Sequence, residues 1–171
     1  PIEFIKRAEH YGLSAYLEKS KSKGYHVWLF FPEGGVNACK LRIVMKFILD
    51  KIYANYTEVF PKQDSIKNND SYWNFINAPM FMEHAPKGKT VFVSPNFKLR
   101  PFHNQWDFLK SVKKNSEVTL DFIISDNELG KDINTFQKYT EENSNYNYGL
   151  PACSQKILKY GVTFDQRIAC F

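Results

Sequence analysis

Ser20-Lys21-Ser22-Lys23-Gly24-Tyr25-His26-Val27-Trp28-Leu29-Phe30-Phe31 is the stretch on which the reading of this chain turns. From Tyr25 to Phe31 it is rich in aromatic and β-branched residues and too short for a typical helix. Gly24 bounds it on one side and Pro32-Glu33-Gly34-Gly35 on the other, which predicts a strand. Alternation along that strand puts His26, Trp28 and Phe30 on one face and Val27, Leu29 and Phe31 on the other. The turn that feeds it offers hydroxyls, lysines and a glycine just before a histidine. A polyphosphate needs such donors converging from several directions: hydroxyls, backbone N–H groups that a glycine lets come close, and cations to balance its charge. The same composition also describes a solvated basic turn with His26 as an ordinary strand residue, and composition alone does not separate the two.

Working outward, Ile2, Ile5 and Ala8 recur at helical spacing and Gly12 suits a C-cap, so residues 2–11 read as an amphipathic helix followed by a short strand from Leu13 to Leu17. On the other side Val36, Cys39, Lys40, Ile43, Val44, Phe47, Ile48 and Ile52 follow helical spacing from 36 to about 53. This gives a long helix packed on the sheet with Cys39 in its core stripe. Thr57 to Phe60 reads as a strand stopped by Pro61, and residues 61–72 as a polar loop. Asn74 to Met80 and Thr90 to Val93 are further strand candidates, Gln105 to Val112 a short helix, and Val118 to Ile124 a last strand. Single helices alternating with strands indicate an α/β or α+β sheet domain. Ser125 to Gly149 is polar and acidic and reads as a linker or excursion. Leu150-Pro151 opens a further segment, with Pro151 suited to a helix N1 position and Ile157, Leu158 and Tyr160 as its apolar face.

The chain has 171 residues, 43% of them hydrophobic, enough for a core of ordinary size and incompatible with a disordered, collagenous or disulfide-stapled scaffold. The longest apolar stretch, Tyr25 to Pro32, is interrupted by His26 and falls short of the roughly 18 residues of a membrane span. A soluble protein with no membrane partner is expected. Cys39, Cys153 and Cys170 are odd in number and far apart, which favours a reducing, cytoplasmic setting. Neither Cys153 nor Cys170 has a C-x-x-C companion or a neighbouring His, and both read as structural or incidental rather than as metal ligands. Residues 1–124 carry 18 Lys and Arg against 12 Asp and Glu (+6), residues 125–148 carry 2 against 5, and residues 149–171 carry 3 against 1. The basic surface belongs to the front body, compatible with a polyphosphate partner. Trp28 is expected in the core, and Tyr72-Trp73 as the likelier exposed aromatic pair. The first residue is Pro1, not Met, and a segment upstream is expected.

The pattern Ser22-Lys23-Gly24-Tyr25-His26-Val27, entering Trp28-Leu29-Phe30-Phe31, resembles the second motif of the archaeo-eukaryotic primase superfamily. Thr57-Glu58-Val59-Phe60-Pro61-Lys62-Gln63 resembles the turn around its third motif, especially in primase-polymerases of CRISPR-associated and conflict systems. Asn74-Phe75-Ile76-Asn77-Ala78-Pro79-Met80 is similar to their Asn-hydrophobic-Ile-x-Leu-Pro-Leu strand, Gln105-Trp106-Asp107-Phe108-Leu109 to a Gln-Trp-x-Phe-Leu helix, and Leu150-Pro151-Ala152-Cys153, with Arg167, to the opening of the helical accessory region.

The resemblance implies an α+β fold: a catalytic core over residues 1–124 with an RRM-like antiparallel sheet flanked by helices, a linker over 125–149, and the start of the accessory region over 150–171. It implies a DNA primase-polymerase, a nucleotidyltransferase that adds nucleoside triphosphates on a single-stranded DNA template and primer with Mg²⁺ or Mn²⁺. CRISPR or other defence-system proteins are the implied partners. Carried over by position, Ser22 and His26 hold the triphosphate, with Lys21, Lys23 and the Gly24 backbone beside them. Glu58 is the third-motif carboxylate and metal ligand, with Asp64 a weaker substitute; many relatives carry an aspartate at or next to Thr57 instead. Gln63 and Asn74 position nucleotide or template, and Asn77 contacts phosphate or sugar. The family's leading Asp-x-Asp or Asp-x-Glu pair is not in this chain and is expected upstream in a longer polypeptide. The rival reading is a non-catalytic RRM-like nucleotide or single-stranded nucleic-acid binding module. A third, the polymerase part of a break-repair ligase system, shares the Ser-x-Gly-x-His turn, but the Phe-Pro-Lys-Gln turn and the Leu-Pro-Ala-Cys segment argue against it.

Overall fold

The computed structural model describes residues 1–62, 76–81 and 83–129, together with the backbone of a strand at 168–170. Its centre is the hairpin of β1 (Tyr16–Lys19) and β2 (Tyr25–Phe30), with Glu18 opposite His26 and Tyr16 opposite Trp28. β3 (Val91–Ser94) pairs with β1, β4 (Arg100–Pro101) with β3, and β5 (Ile168–Cys170) with β2. The sheet order is β4-β3-β1-β2-β5, antiparallel at every pairing. The strand expected at Leu13 to Leu17 starts three residues later. Ser14 is held instead by the buried Asn115, whose Oδ1 accepts from the Ser14 N–H at 2.7 Å and whose Nδ2 donates to the Ser14 carbonyl at 2.9 Å.

Helices cover one face. α1 (Ile2–His10) buries Phe4, Ile5 and Ala8 and ends where Gly12, at φ +76°, lets the Leu13 N–H turn back to the Ala8 carbonyl at 2.9 Å. α2 (Ala38–Asp50) is capped by Asn37, whose Oδ1 accepts from the N–H groups of Cys39 and Lys40. It buries Leu41, Val44, Met45, Ile48 and Leu49 against Leu17, Val27 and Leu29 of the hairpin. Cys39, expected in that core, is only half-buried, because it sits in the first turn of α2 next to the cap.

The largest departure from the sequence reading is the segment 118–124, which is no strand but lies in α4 (Glu117–Asp126). Ser116 caps it through an Oγ that accepts from the Thr119 N–H at 3.3 Å, and Leu120 and Ile123, three apart, face the core while Val118 and Phe122 are exposed. Lys40 of α2 clamps it by ion pairs to Glu117 at 2.8 Å and Asp121 at 2.7 Å, two carboxylates one helical turn apart.

The other face of the sheet carries Trp28 and Phe92, packed by Tyr16, Phe30, Phe60, Ile76, Phe102, Phe108 and Leu109. Phe108 and Leu109 come from α3 (Gln105–Ser111), close to its expected span, and the Phe102 and Phe108 rings stack at 4.0 Å. Gln105 fixes this layer with its amide: Oε1 accepts from the Phe92 N–H at 2.7 Å, and Nε2 donates to the carbonyls of Phe92 at 3.0 Å and Phe102 at 2.9 Å. Thr57 to Phe60 forms no strand; only Phe60 makes a bridge, because the chain leaves α2 through turns that bond Ala54 to Leu49 and Thr57 to Ala54. Of the strand expected at Asn74 to Met80, residues 76–78 are irregular and 79–80 form a turn, while Asn74 lies outside the described residues. The linker expected from Ser125 does not begin there, because Ser125 and Asp126 close α4 and Asn127 caps it; residues 130–149, the accessory segment apart from the β5 backbone, and the Tyr72-Trp73 pair lie outside the described residues. Among the described residues no helix is long and apolar enough to cross a membrane.

Candidate functional site

The turn of the hairpin is closed by its own polar groups. The Ser20 N–H donates to the Gly24 carbonyl at 3.1 Å and the Ser20 Oγ donates to the Lys23 carbonyl at 3.1 Å, so Ser20 is buried while Lys21, Ser22, Lys23 and Gly24 are exposed. Gly24 has φ +93° with open space where a Cβ would stand. Backbone conformation, and not crowding, is therefore what asks for glycine there. Two ammonium groups and a hydroxyl thus project from one tight turn, two residues ahead of His26.

His26 leaves the turn on the face that carries Trp28, as alternation predicts. Opposite it, Glu18 is a carboxylate with a side chain only 1% exposed, against 32% for the imidazole. Glu18 Oε2 accepts from the indole Nε1–H of Trp28 at 2.5 Å and lies 3.2 Å from Nδ1 of His26. An indole N–H only donates, so this oxygen accepts from Trp28, and an ionised carboxylate here pairs with an imidazole that carries a proton on Nδ1. The sequence reading did not single out Glu18. The signal was present, since a turn over residues 20–24 pairs Lys19 with Tyr25 and therefore Glu18 with His26.

Two further segments return to this face. Phe60 packs on the Trp28–Phe92 pair, and Pro61 is tied to α2 by a hydrogen bond from Arg42 Nη1 to its carbonyl at 3.1 Å. Ile76 packs on the same pair, with the exposed Asn77 following it. Glu58, two residues before Phe60, is exposed and pairs with Lys62, four residues on, at 2.6 Å. Gln63 lies outside the described residues, as Asn74 does. Trp106 is 64% exposed, whereas Trp28 is buried as expected.

The arrangement suits an anion at the hairpin tip: two lysines, a serine and a glycine backbone, all exposed, beside a half-buried imidazole. It does not by itself make a divalent-metal centre. Among the described residues no three His, Cys, Asp or Glu side chains converge on a point, and Glu58 offers a single carboxylate engaged by an ammonium.

No curated protein matches the chain. The family model described as "TOTE conflict system, Archaeo-Eukaryotic Primase domain" matches residues 2–123, a span that holds the hairpin, α2, the Phe60 and Ile76 segments, α3 and all but the end of α4. The chain therefore belongs to the archaeo-eukaryotic primase domain family of TOTE conflict systems, within a superfamily of nucleotidyltransferases.

Proposed function

We propose that the β1–β2 hairpin binds the triphosphate of an incoming nucleotide, and that the domain serves template-directed nucleotidyl transfer on single-stranded DNA. The observation that supports this is the placement of Lys21, Ser22, Lys23 and the Gly24 backbone at an exposed tip next to His26. In this reading Ser22 and the two lysines grip the outer phosphates, and the imidazole contacts the same chain of phosphates from the sheet. A primer 3′ oxygen attacks the α-phosphorus, its bond to the bridging oxygen breaks, and pyrophosphate leaves with the negative charge that the hairpin cations offset. Gln63, Asn74 and Asn77 belong to the proposal as nucleotide- or template-positioning groups. Mg²⁺ or Mn²⁺ belongs to it through family membership, with Glu58 as one ligand and the other carboxylates outside the described residues. Partner proteins of a conflict system, CRISPR-associated or otherwise, complete the reading.

A second reading, a non-catalytic nucleotide or single-stranded nucleic-acid module, is favoured by the absence of a converging carboxylate cluster among the described residues. Titration with a nucleoside triphosphate and primer extension by the full-length polypeptide separate the two. The first reading expects His26→Ala to abolish triphosphate binding and synthesis together. Unchanged affinity in calorimetry overturns the hairpin assignment, and tight binding without any extension, with either metal, selects the module.

A further inference from the structure

We propose that Glu18 is a positioning residue for His26: it holds the imidazole with Nδ1–H turned into the sheet and Nε2 turned out toward the hairpin tip. This rests on the triphosphate reading for its purpose, but the geometry stands apart from it.

Glu18 occupies a strand position where its neighbours on the same face are aromatic, and its side chain is 1% exposed. Burying a carboxylate is unfavourable by several kcal/mol unless it is well bonded. Here one oxygen is met by two ring nitrogens from alternate residues of the opposite strand, Trp28 Nε1 at 2.5 Å and His26 Nδ1 at 3.2 Å. The indole is the rigid member. Trp28 is 1% exposed and packed on Phe92, so it fixes the carboxylate, and the carboxylate in turn fixes the half-open imidazole. A histidine with its inner nitrogen committed to a carboxylate presents the other nitrogen in a defined direction, as the second partner of a metal-bound histidine does. A free neutral imidazole prefers its proton on Nε2. The carboxylate reverses that choice, leaving Nε2 as an acceptor when the ring is neutral and as the outward donor to a phosphate oxygen when it is charged.

The test is nitrogen-15 spectroscopy of the His26 ring at about pH 9, where an ordinary imidazole is neutral, combined with triphosphate titration. Wild type is expected to show the Nδ1–H form. Glu18→Leu is expected to return the ring to the Nε2–H form and to weaken triphosphate binding about tenfold. Glu18→Gln keeps an oxygen for both donors and is expected to retain the Nδ1–H form. Trp28→Phe, which spares the carboxylate, provides a milder variant should the leucine disturb folding, with an intermediate tautomer ratio expected. An unchanged tautomer in Glu18→Leu, or in Trp28→Phe where the leucine variant does not fold, overturns the proposal. If the tautomer shifts while wild type binds no triphosphate, the positioning stands and the triphosphate reading falls.

Discussion

Asn115 shows how much one side chain can hold. It is buried, its backbone N–H donates to the Phe30 carbonyl at 2.7 Å, and its amide bonds both polar groups of Ser14 and, through Nδ2, the Phe30 carbonyl at 3.2 Å. It joins the start of β1 to the end of β2 just before α4. Asn115→Ala leaves the Ser14 N–H and carbonyl without these partners, and at about 1–3 kcal/mol for each fully buried group left unmade, reduced because Ser14 is half-buried, the expected loss is about 2–4 kcal/mol. The shift of the urea midpoint measures it, and a shift equivalent to less than about 1 kcal/mol would count against the clamp. At Gly24, with φ +93° and nothing near a new Cβ, Gly24→Ala is expected to cost about 1–2 kcal/mol through backbone strain alone. Neither Glu18 nor Asn115 was singled out from the sequence. The first needs the hairpin register, and the second bonds a residue 101 positions away, which no local pattern announces.

The elements were legible where periodicity and punctuation agreed. β2 lies between Gly24 and Pro32 as read, α1 stops just ahead of Gly12, and α3 starts at Gln105 with Asn104 as cap. Segment 118–124 failed because five of its seven residues are apolar, so neither a two-fold nor a 3.6-fold period stands out. What decides is the Ser116 cap and the pair of carboxylates reaching Lys40. Ser116→Ala is accordingly expected to cost about 1 kcal/mol, read by thermal or urea unfolding. The Lys40 ammonium is held above the ordinary value of 10.5 first by its bond to Asp121, then by that to Glu117. A folded-state value raised this way gives stability that is full below about pH 10.5 and lost as pH rises through the raised value. Wild type is therefore expected to lose melting temperature more steeply than Lys40→Met above pH 10.5, and high salt to narrow the difference. Equal slopes would mean that the pairs contribute nothing.

On the scale of the whole molecule, a single sheet separates an aliphatic core under α1, α2 and α4 from an aromatic layer under α3, and the candidate site lies on the aromatic side. The sequence reading placed the two faces of β2 correctly and the α+β character followed from it. The return of the Phe60 and Ile76 segments to that face depends on tertiary packing, and neither forms the strand it resembled. The excess of 18 basic over 12 acidic groups in residues 1–124 lets the proposed template be tested by salt. If single-stranded DNA binds through phosphates, log affinity is expected to fall with log salt at about 0.7 per phosphate neutralised, a slope of about −2 or steeper for three contacts. A flat dependence, measured by fluorescence anisotropy with a labelled oligonucleotide, would remove DNA from the reading. Gln105 has a last consequence, for the behaviour of many copies at once. At the outer end of the sheet β4 is two residues long, one an arginine and one a proline without an N–H. The N–H and carbonyl of Phe92 that would extend the ladder are already taken by the Gln105 amide and the Phe102 N–H. A strand from another molecule finds no vacant donor or acceptor at Phe92 to template on, so this side chain works as a stopper against edge-to-edge aggregation.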